Sequence, residues 1–275
     1  TTLPLSKPYY VFQDISFEHL VLNTDFPDDE EVSIKQETHN YPMSNYGLLR
    51  NEYYNVFLKY GHNSESHAHP DVMSLEVTAH NKYLTRDLSN AGYKSKMYRE
   101  WHRTTPAHTT VTVDGSNQLS AHPGKTIVYD SGQITAECKD VYPGVDYQRE
   151  VRISEKTLSD RFIVNSNENH NYDYFFHFES AAELNLTGQF EKAELGYTEP
   201  WYTHLQNVRK LNSKEDLYKF SFRLGCDEFQ ACVDLAGKEL YVVDSYDNPV
   251  NKMRKTLIIR QQGKNVEFKL EFRMV

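Results

Sequence analysis

"VEFKLEFRMV", residues 266–275, sets Val266, Phe268, Leu270 and Phe272 on one side of an extended chain and Glu267, Lys269, Glu271 and Arg273 on the other. Side chains of a strand alternate between faces, so this is a strand with one face on a core and one in water. The same signals recur upstream, punctuated by Gly, Asn, Asp or Pro: "NVFLKY" (55–60), "SLEVTAH" (74–80), "TTVTVDG" (109–115), "KTIVYDSG" (125–132), "QITAECKDVY" (133–142) and "DYQREVRIS" (146–154). "DRFIVNS", "YDYFFHFES", "LYKFSFRLG", "FQACVDL", "ELYVVDS" and "KTLIIRQQG" continue the series. Helical periodicity is almost absent. The pattern predicts an all-β chain, a large antiparallel β-sandwich of more than ten strands, over residues 46–275. Residues 1–45, with the acidic "DFPDDEEVS" (25–33), read as an N-terminal lead-in or linker segment.

The 275 residues suffice to bury a core without staples, and 20 tyrosines and 14 phenylalanines favour strands. A net charge of −9 and a pI near 5.7 argue against a nucleic-acid binder and against a uniformly cationic groove for a polyanionic sugar; a local basic patch stays open. No apolar run reaches the roughly 18 residues that a membrane span needs. Cys138, Cys226 and Cys232 form no C-x-x-C and read as two or three buried thiols, with a Cys226–Cys232 pair as the alternative. The chain opens on "TTLPLSKPYY", with no initiator Met and no apolar signal core, which reads as a processed chain or one piece of a longer one.

The chemistry concentrates in "YGHNSESHAHPDVMSLEVTAHNKYLTRD" (60–87). His67 and His69 lie two apart, so an extended segment would point both to one face. Asp87 follows the next strand, and His108 directly precedes "TTVTVDG". Ends of adjacent strands meet at one edge of a meander, where two imidazoles and a carboxylate make a Zn²⁺ site with bonds of about 2.0–2.2 Å. Surface histidines without metal are the competing reading of that spacing. "GHNSESHAH" also fits the opening of a cupin pattern, but Met73 and Ser74 stand where a cupin wants Glu, and no second cupin motif follows.

"YGLLRNEYYNVFLKYG" (46–61), "SHAHPDVMSLEV" (66–77), "YLTRDLSNAGY" (83–93) and "EWHRTTPAHTTVTVDGSNQ" (100–118), in that order, resemble the β-domain of heparinase II/III-like polysaccharide lyases. That group includes heparinases and exo-acting oligoalginate lyases. "YPGVDYQREVRISEKTLSDRFIV" (142–164) and "YDYFFHFES" (172–180) extend the likeness, which runs from about residue 41 to the end. The resemblance implies that His67 faces a catalytic cleft, that His69, Asp87 and His108 bind one structural Zn²⁺, and that Asp71 orients the histidines without touching the metal. Two departures stand out: Asn63, Ser64 and Glu65 where the family carries glycines, and His108-Thr109-Thr110 where it carries His-Asn-Thr.

The implied reaction is β-elimination on a uronate-containing polysaccharide or oligosaccharide such as alginate or a glycosaminoglycan. It needs the C5 carboxylate neutralised, the C5 proton removed and the leaving oxygen protonated. His67, Tyr93 and Tyr98 are the candidates for proton work, and Arg99 and Arg103 for holding a uronate carboxylate. Each has an ordinary alternative: a packing tyrosine, a solvated arginine. Trp101 reads as core, Tyr46 and Arg50 are undecided, and His62, His80, His102, His122, His170, His177 and His204 read as ordinary. "DLSNAGY" followed by "EWHRTT" leans toward the exo-acting oligouronide branch, on resemblance alone. The remaining catalytic groups of such a lyase belong to an N-terminal α/α toroid, which this sequence lacks; the family works in the bacterial periplasm or outside the cell. The chain is therefore expected to be the β-half of a lyase, or else a carbohydrate-binding or scaffold sandwich with a metal staple and no turnover.

Overall fold

The computed structural model describes the backbone at residues 2–5 and 32–35, and residues 37–62, 68–119 and 122–275 in full. Two units result. In the first, Thr1–Glu37, β1 (Thr2–Leu5) pairs antiparallel with β2 (Val32–Lys35), Thr2 opposite Lys35. The second, Thr38–Val275, holds every candidate residue and begins its strands within the stretch read as lead-in.

That second unit is a sandwich of antiparallel sheets. The smaller sheet has five strands in chain order: β3 (His39–Tyr41), β4 (Tyr46–Arg50), β5 (Tyr54–Lys59), β6 (Ser74–Ala79) and β7 (Lys82–Thr85). The larger holds twelve: β8 (Val111–Val113), β9 (Lys125–Tyr129), β10 (Gln133–Tyr142), β11 (Val145–Ser154), β12 (Thr157–His177), β13 (Ala182–Asn185), β14 (Gln189–Lys192), β15 (Gln206–Asn212), β16 (Leu217–Leu224), β17 (Asp227–Asp234), β18 (Glu239–Tyr246) and β19 (Met253–Met274). Among the described residues 58% are strand and 7% helix, the reverse of an average globular chain, and the all-β sandwich read from the sequence is the fold.

The long pair β12 and β19 is its spine. They stay in register from Thr157↔Arg273 to His177↔Thr256, apart from one irregularity between Asn165 and His170. β17 takes the C-terminal end of β19 and β18 the N-terminal end, so the sheet forks. Val266, Phe268, Leu270 and Phe272 point inward as their spacing requires. They join Leu49, Val56, Leu58 and Val77 of the small sheet with Tyr147, Phe162 and Tyr174 in one core. Burial of so much apolar surface is the main stabilising term. A second cluster around Trp101, Phe175, Tyr202 and Ile258 packs beside it.

An ion pair is sealed inside this sandwich. The Arg149 guanidinium donates to both Asp160 carboxylate oxygens at 2.8 and 2.6 Å and to the Tyr174 hydroxyl at 2.9 Å. Its remaining nitrogen donates to the carbonyls of Met73 (2.5 Å) and Thr109 (2.6 Å), binding loops of the small-sheet side to β11. Cys226 and Cys232 are free thiols, so their pairing fails, and of the two or three buried thiols expected only Cys138 is buried, Cys232 being half-buried and Cys226 exposed.

Backbone packs directly on backbone where β5 ends. A methyl group on Gly124 would lie 2.0 Å from the Tyr60 carbonyl oxygen, and one on Gly61 2.2 Å from the Gly124 nitrogen. Neither neighbour is a side chain that can swing away. Gly124→Ala is therefore expected to cost about 1–3 kcal/mol, the usual range for overpacking. An unchanged urea midpoint at unchanged slope would refute the contact.

Candidate metal centre and cleft

Three loops converge at one end of the β6–β7 hairpin. His80 and Asn81 adopt left-handed backbone (φ 44° and 63°), the geometry of a tight two-residue turn. Opposite that turn, the segment entering β6 brings His69 and the segment leaving β7 brings Asp87. The third loop follows the turn Thr105–Ala107, which presents His108. The Leu75 amide donates to the Thr109 carbonyl at 3.2 Å, and the Thr85 and Thr109 hydroxyls bond at 2.8 Å, tying this loop to both hairpin strands.

His108 Nδ1 donates to the Thr104 carbonyl at 2.8 Å, which leaves Nε2 as the ring's acceptor in the neutral form. Nε2 lies 3.1 Å from His69 Nδ1 and 3.2 Å from Asp87 Oδ2; His69 Nδ1 and Asp87 Oδ2 are 3.8 Å apart. These facing lone pairs repel unless a proton or a cation sits among them. A tetrahedral zinc with bonds of about 2.0–2.2 Å needs donors about 3.3–3.6 Å apart, and the three separations bracket that range. The residues fit the ion.

The ligand candidates are held from behind. Asp87 Oδ1 accepts the Ser89 amide and its own amide donates to Glu76 at 3.2 Å, so Oδ2 faces the histidines. Burial, then the His108 charge, pull His69 down to about 4, so it is a neutral ligand at pH 7. Burial alone would raise the Asp87 carboxyl, but His108 more than offsets it and the net direction is down; His108 is raised in turn, Asp87 outweighing its burial.

A cleft of about 470 Å³ opens beside these residues, lined by Lys59, Ala68, His69, Asp71, Glu76, Asp87, Ser89, Asn90, Tyr93 and Tyr98. Tyr98 is buried with its ring 6.0 Å from that of His69, and exposed Tyr93 meets it edge-on at 5.3 Å. Asp71 bonds to Lys59, not to a histidine, and acts on His69 and His108 through its charge alone. Arg99 and Arg103 are exposed and do not line the cleft. Trp101 is core, its indole donating to the Tyr246 carbonyl at 2.9 Å. His67 lies outside the described residues. Lys59 and Glu76 escape the sequence reading because each stands at an outward position of an alternating strand, where charge is the default; only the strand register sets them at the cleft.

Of the histidines read as ordinary, His80, His170 and His204 pair with Asp227, Asp114 and Glu100. His177 is fully buried, donating from Nε2 to the Pro106 carbonyl (2.9 Å) and accepting from Thr256 (2.8 Å). Burial, then the Arg254 charge, hold it well below its usual pKa. The unfolded state therefore takes up a proton near pH 6.5 that the folded state refuses, so this contribution is complete above pH 6.5 and is lost as pH falls. His177→Gln should flatten the loss by about one proton, roughly 1.4 kcal/mol per pH unit. Urea melts at pH 5 and pH 6 measure it; equal slopes in both proteins would count against it.

An all-β sandwich with a His, Asp, His cluster beside a polar cleft is the class that fold and site define. A profile of the family "Heparinase II/III-like, C-terminal" matches residues 34–227, well over half the chain, and the chain belongs to that family. Among solved structures, heparan sulfate lyase HepC from Pedobacter heparinus (mutant form) aligns at 15% identity and TM-score 0.65, over 90% of this chain and 38% of that one. A structure of heparinase III aligns at 13% and 0.65, over 88% and 38%. These likenesses carry the fold, and the chain spans 38% of the length of those structures. A search of curated proteins found no match. No helix among the described residues is long and apolar enough to cross a membrane.

Proposed function

We propose that this chain is the β-domain of a lyase that cleaves a uronate-containing polysaccharide or oligosaccharide by β-elimination. The observation that carries the reading is the His69, Asp87 and His108 cluster opening on a cleft with Tyr98, in a member of this family. One zinc bound by the three side chains would tie three loops to the sheet edge; its part is structural. His67, two residues before His69 in sequence, takes the proton work as base or as partner of the uronate carboxylate, together with Tyr98 and Tyr93, which line the cleft. Arg99 and Arg103 have no part in this reading. The rest of the active site belongs to a second domain of the parent protein, an α/α toroid, in the periplasm or outside the cell. The test is ultraviolet absorbance of unsaturated uronate, with the longest form of the protein on alginate and glycosaminoglycan oligomers. Turnover of neither sugar class, with both bound, would leave a binding module instead.

The metal has its own test. Elemental analysis should find close to one zinc per chain, and chelation should lower the melting temperature. His69→Ala should lose metal and stability together. A metal-free protein whose melting temperature ignores chelator would end the zinc assignment.

A further inference from the structure

Arg254, on β19, is 2% exposed. The other arginine as deeply buried, Arg149, grips Asp160, and the half-buried Arg260 and Arg86 also hold carboxylates, Arg260 that of Asp173 and Arg86 those of Glu179 and Asp247. Among the described residues Arg254 makes no ion pair within 4.0 Å. Its two terminal nitrogens go to backbone carbonyls instead, Nη1 to Arg86 at 3.2 Å and Nη2 to Ala107 at 2.8 Å. A buried cation without a carboxylate in contact is costly, so this arrangement calls for a reason.

The two carbonyls supply one. Arg86 immediately precedes Asp87, and Ala107 immediately precedes His108. One planar guanidinium thus spans the loops that present two of the three candidate ligands. A metal site tolerates errors of only about 0.5 Å in its donors, and these donors come from segments some twenty residues apart in sequence. A rigid fork fixes the distance between two carbonyls; a lysine, as a single point of charge, does not. Arg149 does the matching work on the other flank of His108, taking the Thr109 carbonyl together with that of Met73.

We propose that Arg254 is a positioning residue of the metal centre, setting the spacing of Asp87 and His108 by clamping the carbonyls that precede them. The proposal rests on the zinc reading above. In Arg254→Lys, which keeps the charge and loses the fork, zinc affinity measured by chelator competition should fall about 10–100-fold, the usual effect of disturbing the groups behind metal ligands. The visible absorption of the Co²⁺-substituted protein should shift as well. Arg260→Lys, at a half-buried fork away from the centre, should weaken the fold while leaving zinc affinity and the Co²⁺ spectrum within twofold and unshifted. Wild-type protein that binds no metal would overturn the zinc reading itself. Wild-type binding with an unaltered Arg254→Lys, or an equal loss in Arg260→Lys, would overturn the clamp alone. So would an Arg254→Lys chain that stays unfolded even with saturating zinc, because Arg254 would then serve the fold at large; a chain that folds only with zinc would support the clamp.

Discussion

Arg149→Met should be among the most destabilising single changes in this protein, at about 3–5 kcal/mol, the range for leaving one member of a buried ion pair uncompensated. Asp160 is 2% exposed and would keep only the Tyr174 hydroxyl as partner. The Met73 carbonyl would lose its donor, and a buried group left unsatisfied costs about 1–3 kcal/mol in its own right, while the Thr109 carbonyl would keep only the Leu75 amide. Attraction between the charges is not the whole of it, since desolvation offsets much of that gain. The double variant Arg149→Met, Asp160→Leu therefore separates the terms. Removing the stranded charge should recover part of the loss, and the remainder measures the lost guanidinium bonds to the Met73 and Thr109 carbonyls. Urea denaturation gives both numbers. A single variant that loses less than about 1 kcal/mol, or a double variant no better than the single, would sink the argument.

Arg149 also shows what a sequence can and cannot disclose. In "VDYQREVRIS" (145–154) it falls in phase with Val145, Tyr147 and Val151, all buried, and Asp160 falls in phase with Leu158, Phe162 and Val164. A charge on the apolar phase of a strand is the trace of a buried pair, legible but easily passed over beside the ordinary charges of the wet phase. Arg254 also falls on a buried phase, two residues before buried Thr256, but its partners are backbone carbonyls. The all-β class was plain, because alternation such as that of 266–275 permits little else. The spine was not. "DRFIVNS" and "YDYFFHFES" look like two strands parted by the polar "NSNENH" (165–170), yet β12 runs through it, and β19 likewise runs through Gly263-Lys264-Asn265. The two interruptions meet, Asn165 opposite Asn265 and His170 opposite Gly263, so each strand accommodates the irregularity of the other. Pairing across about a hundred residues decides that outcome, and local turn chemistry does not contain it. His69, Asp87 and His108 could be named together in advance from their places at strand ends and from the family resemblance, and the structure does gather them within 4.8 Å. Lys59 and Glu76 could not, because their place at the cleft depends on the register of β5 against β6.

In the active parent enzyme, His67→Ala should lower turnover by about two to four orders of magnitude, the scale of a lost acid–base group, while zinc content and melting temperature stay nearly unchanged. The separation follows from chemistry already at the centre. His69, Asp87 and His108 bring three donor atoms within 4.8 Å of one another, so a zinc held there would need only one further ligand, water or a substrate-like group. On the zinc reading proposed above, His67 would not be required as a ligand. Ala68 and His69, the two residues that follow it in sequence, both line the cleft. An imidazole takes the C5 proton when neutral and pairs with a uronate carboxylate when charged. The two roles differ in their kinetics. Loss of a base acts on kcat, whereas loss of a carboxylate partner used equally in ground and transition states raises KM and spares kcat. His67→Gln, which keeps a hydrogen-bond donor but cannot exchange a proton, should restore KM without restoring kcat if His67 is the base. A His67→Ala enzyme that loses its zinc would place this residue among the ligands, and one that keeps near-full turnover would remove it from the chemistry.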